Sequence, residues 1–157
     1  MDLMKYWLMK TEPNEFSIDD LQRVGVEMWD GVRNYQVRNM MRNEMMVGDS
    51  VLVYHSNAGE ETGIAGTAKI CRKAYPDPTQ FDPESAHPDP KSDPQNPRWL
   101  CVDVEFIQKF KRILTLKEIK SDPNFLDYKL VQKGNRLSVI PTTKKQFDYI
   151  LRLAKTL

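Results

Sequence analysis

The sequence predicts an α+β domain built on a small, mostly antiparallel, strongly curved sheet of about five or six strands with helices at its rim. Three observations carry this expectation. Several β-branched or aromatic runs are bounded by turn residues, several short helical stretches open on recognisable caps, and the two do not alternate in the regular order of a parallel sheet. With 157 residues, 40% of them hydrophobic and 29% charged, the chain is expected to be one domain over 1–157 with enough apolar material for a core.

Residues 6–10, YWLMK, are a short apolar and aromatic run before Glu12-Pro13, and proline cannot continue a central strand, so this is the first strand. Ser17 then caps a helix. Asp20 stands at its third position as a capping-box variant, Phe16 staples onto Leu21, and Gly25 stops it. Residues 29–39, WDGVRNYQVRN, come next and pack a glycine turn, two aromatics and two arginines into eleven positions. Asp30-Gly31 signals the turn, with Trp29 on it, and Asn34 is a good N-cap for a helix. That helix carries Tyr35, Arg38 and Arg42 on one stripe and Val37, Met40, Met41 and Met45 on the stripe that faces the core. A turn at Val47-Gly48-Asp49 leads into a strand over 50–56. After a loop over 59–63, GIAGTAKICR reads as a strand whose Gly66 leaves room for another backbone, a bulge or a ligand.

Residues 75–97 hold seven of the ten prolines and follow neither period, which predicts an ordered excursion packed over the domain. A long segment of this kind either wraps the fold or serves a site. From 99 to 110, Leu100, Val102, Val104 and Phe106 alternate with Cys101, Asp103 and Glu105 in a half-buried strand. Thr115 and Glu118 box a short helix ended by Asp122-Pro123, residues 124–133 are ambiguous, and 136–140 form a strand stopped by Pro141. Thr143 with Gln146 caps the last helix, whose buried stripe is Phe147, Ile150, Leu151 and Ala154.

Cys71 and Cys101 have no metal spacing and read as free thiols, and the opening MDLMKYWLMK is too short and too charged for a leader or a membrane span. A cytoplasmic monomer is expected. Isolated His55 and His87 make no metal set, and neither a phosphate-cradling glycine loop nor a dinucleotide fingerprint is present, so no cofactor is expected. The net charge of +1 hides an asymmetry: residues 1–74 carry −2, residues 75–97 carry −4 and residues 98–157 carry +7. A basic third of this kind suits a polyanion.

Nucleophilic catalysis is weakly suggested. His55 and Ser56 are strand neighbours that point to opposite faces and cannot form a base–nucleophile pair. Lys10, Thr11 and Glu12 offer a hydrolytic group, with threonine as nucleophile and a desolvated lysine as base, or simply a strand end. The richer pattern is one of recognition. Tyr6, Trp7, Trp29, Tyr35 and Tyr54 accompany Arg33, Arg38, Arg42, Asn34, Gln36, Ser56 and Asn57, a set suited to stacking a nucleobase and bonding its edge. Trp29 has two readings, a core tryptophan or the stacking wall of a pocket, and composition alone does not separate a base from a nucleoside-like metabolite.

YWLMKTEP (6–13), FSIDDL (16–21), WDGVRNYQVRN (29–39), VGD (47–49), YHSN (54–57), GIAG (63–66), AYPDPTQFDP (74–83), PRW (97–99), VDV (102–104) and RLSV (136–139) occur in order along nearly the whole chain. In these blocks the sequence resembles the EVE domain, of the wider PUA-like group that includes the YTH readers of methylated adenine in RNA. Val37 departs from the alanine common in the NYQ-x-RN run, which would narrow the packing behind the helix.

The resemblance implies a PUA-like pseudo-barrel with a pocket for a modified nucleobase, modified cytosine in DNA or a modified base in RNA. It implies a pocket of Lys10, Thr11, Glu12, Trp29, Asp30, Val32, Asn34, Tyr35, Arg38, His55, Ser56 and Asn57. Trp29 would cage the base, Asn34 and Ser56 would read its edge, and Lys10 and Arg38 would meet phosphate or an exocyclic oxygen. Arg98, Lys133, Arg136, Lys144 and Lys145 of the basic third would neutralise flanking phosphates. The expected function is a non-catalytic reader with no membrane partner. A hydrolase of modified nucleobases and a binder of a small metabolite are the alternatives.

Overall fold

The computed structural model describes residues 4–157, so the first three residues of the opening segment lie outside it. Six strands make one mixed sheet: β1 (Tyr6–Thr11), β2 (Val26–Trp29), β3 (Ser50–His55), β4 (Gly63–Pro76), β5 (Leu100–Thr115) and β6 (Val139–Thr142). Their spatial order is β2-β5-β4-β3-β1-β6, open at both edges. Every pairing is antiparallel except β1 with β3. The curvature expected from the sequence comes from irregular register, with one shift between β3 and β4 and four along β4 and β5.

Both faces of the sheet are covered, which is why its central strands read as nearly continuous apolar runs. On one face Trp7, Met9, Val51 and Val53 pack with Ile18 and Leu21 of α1 (Ile18–Val24) and with Val37, Met40 and Met41 of α2 (Tyr35–Asn43). On the other, Leu8, Leu52, Tyr54 and Ile64 meet Ile119 of α3 (Leu116–Ser121) and Phe147 and Ile150 of α4 (Lys144–Ala154). The four helices begin where the caps predict. Ser17, Thr115 and Thr143 close reciprocal capping boxes with Asp20, Glu118 and Gln146, and Asn34 accepts the Val37 N–H at 3.0 Å.

Three expectations need correction. Residues 26–29 form β2, a strand too short and too mixed in burial to show a period. The two long strands overrun their expected ends, β4 to Pro76 and β5 to Thr115. Pro141 does not stop its strand but sits within β6 opposite Trp7, because β6 is an edge strand and a missing N–H there breaks no ladder bond. Gly66 is explained by backbone: a Cβ on it would lie 2.2 Å from the Gln108 carbonyl of β5.

The proline-rich excursion is fastened by two buried polar side chains. Gln80, 1% exposed, donates Nε2 to the carbonyls of Asp77 (2.7 Å) and Trp99 (2.9 Å), while its Oε1 accepts from Ser92 Oγ and the Trp99 N–H. Asp77, fully buried, reaches back to the segment between β2 and α2. Its Oδ2 accepts from the Gly31 N–H (2.8 Å) and from Arg33 Nη1 (3.1 Å), and its Oδ1 from the Thr79 N–H (2.8 Å) and hydroxyl (2.6 Å). Burial pushes this carboxyl upward, but the Thr79, Gly31 and Arg33 donors outweigh it and hold it below the usual carboxylate range.

Gly66→Ala is expected to lower stability by about 1–3 kcal/mol in urea unfolding, since the added methyl forces β4 and β5 apart. Stability near that of the parent would show that the two strands are not in the close register described. For Asp77 the sign follows from its lowered folded value. The ionised carboxylate stabilises the fold fully above pH about 4 and loses that contribution as pH falls through the folded pKa. Asp77→Ala is expected to cost about 3–5 kcal/mol at neutral pH, through the unpaired Arg33 charge, and to flatten the stability profile below pH about 4. An unchanged acid profile would remove Asp77 from this role.

Candidate functional site

A cleft of about 790 Å³ opens where the carboxyl ends of β1 and β3 lie side by side. The parallel pairing brings them together: Thr11 is in register with His55, and the Ser56 N–H donates to the Thr11 carbonyl at 2.9 Å. Lys10, Thr11, Glu12 and Ser56 form this floor. Arg136 and Ser138, just before β6, close one side through the Lys10 N–H bond to the Ser138 carbonyl (2.9 Å). Trp29, Asp30 and Val32 line another side, and Thr79, Ser85, Ala86 and His87 of the excursion complete the wall.

Seven residues of the expected base-binding set therefore meet in one cleft: Lys10, Thr11, Glu12, Trp29, Asp30, Val32 and Ser56. Trp29 is placed differently from the expected turn position. It ends β2 opposite Val102, is 8% exposed and belongs to the core, so it is both a packing residue and a cleft wall. The other five do not line the cleft, because each is committed elsewhere. Asn34 caps α2. Tyr35 stacks on Trp99 with ring centroids 4.7 Å apart, and Arg38 lies over the Tyr35 ring. His55 accepts the Ile18 N–H through Nε2 at 3.0 Å, and burial holds its pKa down, in keeping with the neutral imidazole this bond requires. Asn57, in the left-handed region at φ 54°, donates to Glu12 Oε1 at 2.6 Å and so steadies a cleft residue from outside.

Of the expected phosphate set, only Arg136 lines the cleft. Arg98 faces Asp89 at 4.0 Å, and Lys133 is exposed and does not line the cleft. Lys144 and Lys145 are a correction: β6 runs antiparallel to β1, so α4 begins beside Tyr6, at the opposite end of β1 from Thr11. The expected base-binding set left out Gly31, Arg33 and the residues of the excursion that line the cleft. His87 packs so closely on Gly31 (φ 80°) that a Cβ there would stand 2.7 Å from the imidazole Cδ2. The available signal was the excursion itself, whose length in a compact domain implies service to a site.

The chemistry of the cleft favours holding over cutting. Thr11 donates its hydroxyl to the Phe16 carbonyl at 2.8 Å, and as strand neighbours Lys10 and Thr11 point to opposite faces, so they form no nucleophile–base pair. Burial lowers the pKa of Lys10, whose ammonium lies 5.7 Å from the centre of the Tyr54 ring. Asp30 is pushed upward by burial and then by the nearby Asp77 charge. Among the described residues no group of three His, Cys, Asp or Glu side chains gathers as a metal set.

The sequence pattern of the EVE domain matches residues 5–153. Human thymocyte nuclear protein 1 is 42% identical over 170 residues, spanning 97% of this chain and 75% of the human protein. A crystal structure of a Pseudomonas syringae protein is 50% identical and superposes with a TM-score of 0.91 over 95% of this chain and 99% of that one. The crystal structure of human THYN1 protein in complex with 5-methylcytosine containing DNA is 41% identical, with a TM-score of 0.88 over 96% and 98% of the two chains. The mixed open sheet with four helices is thus an α+β fold of the PUA-like kind. By sequence and by structure, the chain belongs to the EVE domain family.

Proposed function

We propose that this protein is a non-catalytic reader of a modified nucleobase in nucleic acid, with the base held in the cleft at the carboxyl ends of β1 and β3. The observation that carries the reading is the pairing, in one cleft, of an apolar wall with an exposed carboxylate that no side chain among the described residues bonds to. Trp29 and Val32 supply the wall. Asp30 supplies the carboxylate: it is exposed to the cleft, its own backbone N–H is its donor, and partial desolvation with the nearby Asp77 charge raises its pKa. A base bearing an exocyclic amino group, such as cytosine, offers a donor for the lone pairs that carboxylate still holds open to the cleft. A methyl substituent would pack against Val32 and the indole. Ser56 adds a hydroxyl to the base edge, and Lys10 adds a cation for a ring or exocyclic oxygen. The complex of human THYN1 protein with 5-methylcytosine containing DNA supports modified cytosine in DNA as the first ligand to try.

Oligonucleotides carrying a single cytosine, 5-methylcytosine or other modified base, in DNA and in RNA, compared by fluorescence anisotropy, test the reading. The expected result is preference for one modified base, with Asp30→Asn weakening it at least tenfold through the loss of a charge-assisted hydrogen bond. Equal affinity for modified and unmodified strands, or an Asp30→Asn variant indistinguishable from the parent, would sink it. Trp29→Ala is a poor probe, since truncating a buried tryptophan costs about 3–5 kcal/mol of stability. Product formed from a modified nucleoside, and lost in Lys10→Ala, would instead make the protein a hydrolase.

A further inference from the structure

We propose that Arg38 and Arg42 of α2 form a binding site for a backbone phosphate of the strand whose base enters the cleft. The inference rests on the base-reading role above and assigns where the flanking strand lies. Two guanidinium groups one helical turn apart converge on a single neutral atom. Asn39 Oδ1 accepts from Arg38 Nε (3.2 Å), Arg38 Nη2 (2.9 Å) and Arg42 Nη2 (3.1 Å). The other acceptors are also neutral: the Arg98 carbonyl for Arg38 Nη1 (3.1 Å) and the Asn43 amide oxygen for Arg42 Nε (3.4 Å).

Among the described residues no carboxylate lies within ion-pair distance of either guanidinium, and Glu44, two residues beyond Arg42, engages neither. Like charges at this helical spacing repel, and a neutral acceptor orients them without cancelling the charge. The result is a fixed pair of forks with unspent N–H donors, which suits a phosphate.

The site is rigid and continuous with the cleft. Arg38 lies 4.7 Å over the Tyr35 ring, Tyr35 stacks on Trp99 at 4.7 Å, and the guanidinium of Arg33, a cleft residue, lies 5.7 Å from the Trp99 ring. Trp99 is itself pinned by its indole N–H on Asp89 at 2.7 Å. Two stacked rings with a guanidinium at each end therefore lead from the cleft wall to the open face of α2, a distance that a few nucleotides of strand cover at about 3.4 Å rise each. This places the phosphates on α2, not on the Lys144–Lys145 end of the sheet.

The test measures affinity for a DNA oligonucleotide carrying one 5-methylcytosine, for its unmethylated counterpart and for the free nucleoside, across salt concentrations. The variants are Arg42→Gln, Arg38→Gln with Arg42→Gln, and Lys144→Gln with Lys145→Gln. Each lost phosphate contact is expected to flatten the logarithmic salt slope by about 0.7–0.9 and to weaken binding roughly fivefold to tenfold near 0.1 M salt. Methylated and unmethylated strands should weaken by the same factor, nucleoside affinity should stay unchanged, and the Lys144 and Lys145 changes should move nothing. Arg42 is exposed, so its single variant keeps the test valid if the double variant unfolds.

An unchanged slope in Arg42→Gln overturns the inference, as does no measurable binding of the parent protein to either strand. Loss of nucleoside affinity in the same variant also overturns it, by placing Arg42 in base recognition. A parent protein that ignores methylation but loses salt dependence with Arg42 would fail the base-reading proposal and leave the phosphate site standing.

Discussion

The site depends on a buried carboxylate. Asp77 lies in the excursion, 46 residues along the chain from Gly31, yet its two oxygens hold the Gly31 N–H and the Arg33 guanidinium on one side and start the turn at Thr79 on the other. Withdrawing a carboxylate from water is costly, and it is tolerable here because four donor groups meet it. The arrangement is not perfectly satisfied, since Arg33 Nε is buried without an acceptor. That imperfection follows from the other Arg33 bonds, to Thr79, the His87 carbonyl and Val32, which fix the fork in the one orientation that ties both walls of the cleft. Without Asp77 the excursion would lose its ion pair to the segment that carries Trp29 and Asp30 and keep only the Arg33 bonds to Thr79 and the His87 carbonyl.

Sheet topology supplies the floor under those walls. In a wholly antiparallel sheet the carboxyl ends of adjacent strands point in opposite directions. The single parallel pair, β1 with β3, puts the Lys10-Thr11-Glu12 end and the Ser56 end on the same edge, and β2 arrives antiparallel to β5 with Trp29 at its finish. Residues close in space at the cleft thus come from five stretches of chain with no local relationship, and the polar groups among them remain partly unpaired. Such residual demand for partners marks a binding surface more reliably than the mere presence of aromatics.

This explains what the amino-acid order revealed and what it concealed. Helix starts were legible because a cap is a local event: Ser17 with Asp20, or Thr143 with Gln146, needs only four residues to act. The residues of 54–57 and 10–12 read equally well as ordinary strand ends, and only the family resemblance marked them as site material; of the first stretch Ser56 alone reaches the cleft. Asn34, Tyr35 and Arg38 were harder, since the same donors and rings serve a cap, a stack on Trp99 or a ligand equally well, and only the partner decides. The excursion showed no sign of which residue would face the cleft, because His87 is set there in part by a distant partner, Arg33, which donates to its carbonyl at 2.6 Å. Pro141 misled for a similar reason, as edge or centre is a property of the whole sheet.

A net charge of +1 is compatible with a polyanionic ligand because charge of the two signs is separated over the surface. Glu12, Glu15, Glu27 and Asp30 line the cleft, against Lys10, Arg136 and an Arg33 already paired with Asp77. A phosphate entering such a space would meet more negative than positive charge, whereas an uncharged base with amino hydrogens would meet acceptors. On α2 the balance reverses, with Arg38 and Arg42 oriented by neutral oxygens alone. On the proposed reading the two surfaces would sort the parts of a nucleotide by charge, the base inward and the phosphate outward, with the stacked Trp99–Tyr35 pair between them. Electrostatics of this kind would then orient a strand even where it added little to total affinity, since reversing the strand would set phosphate against carboxylates and leave the arginines facing a base.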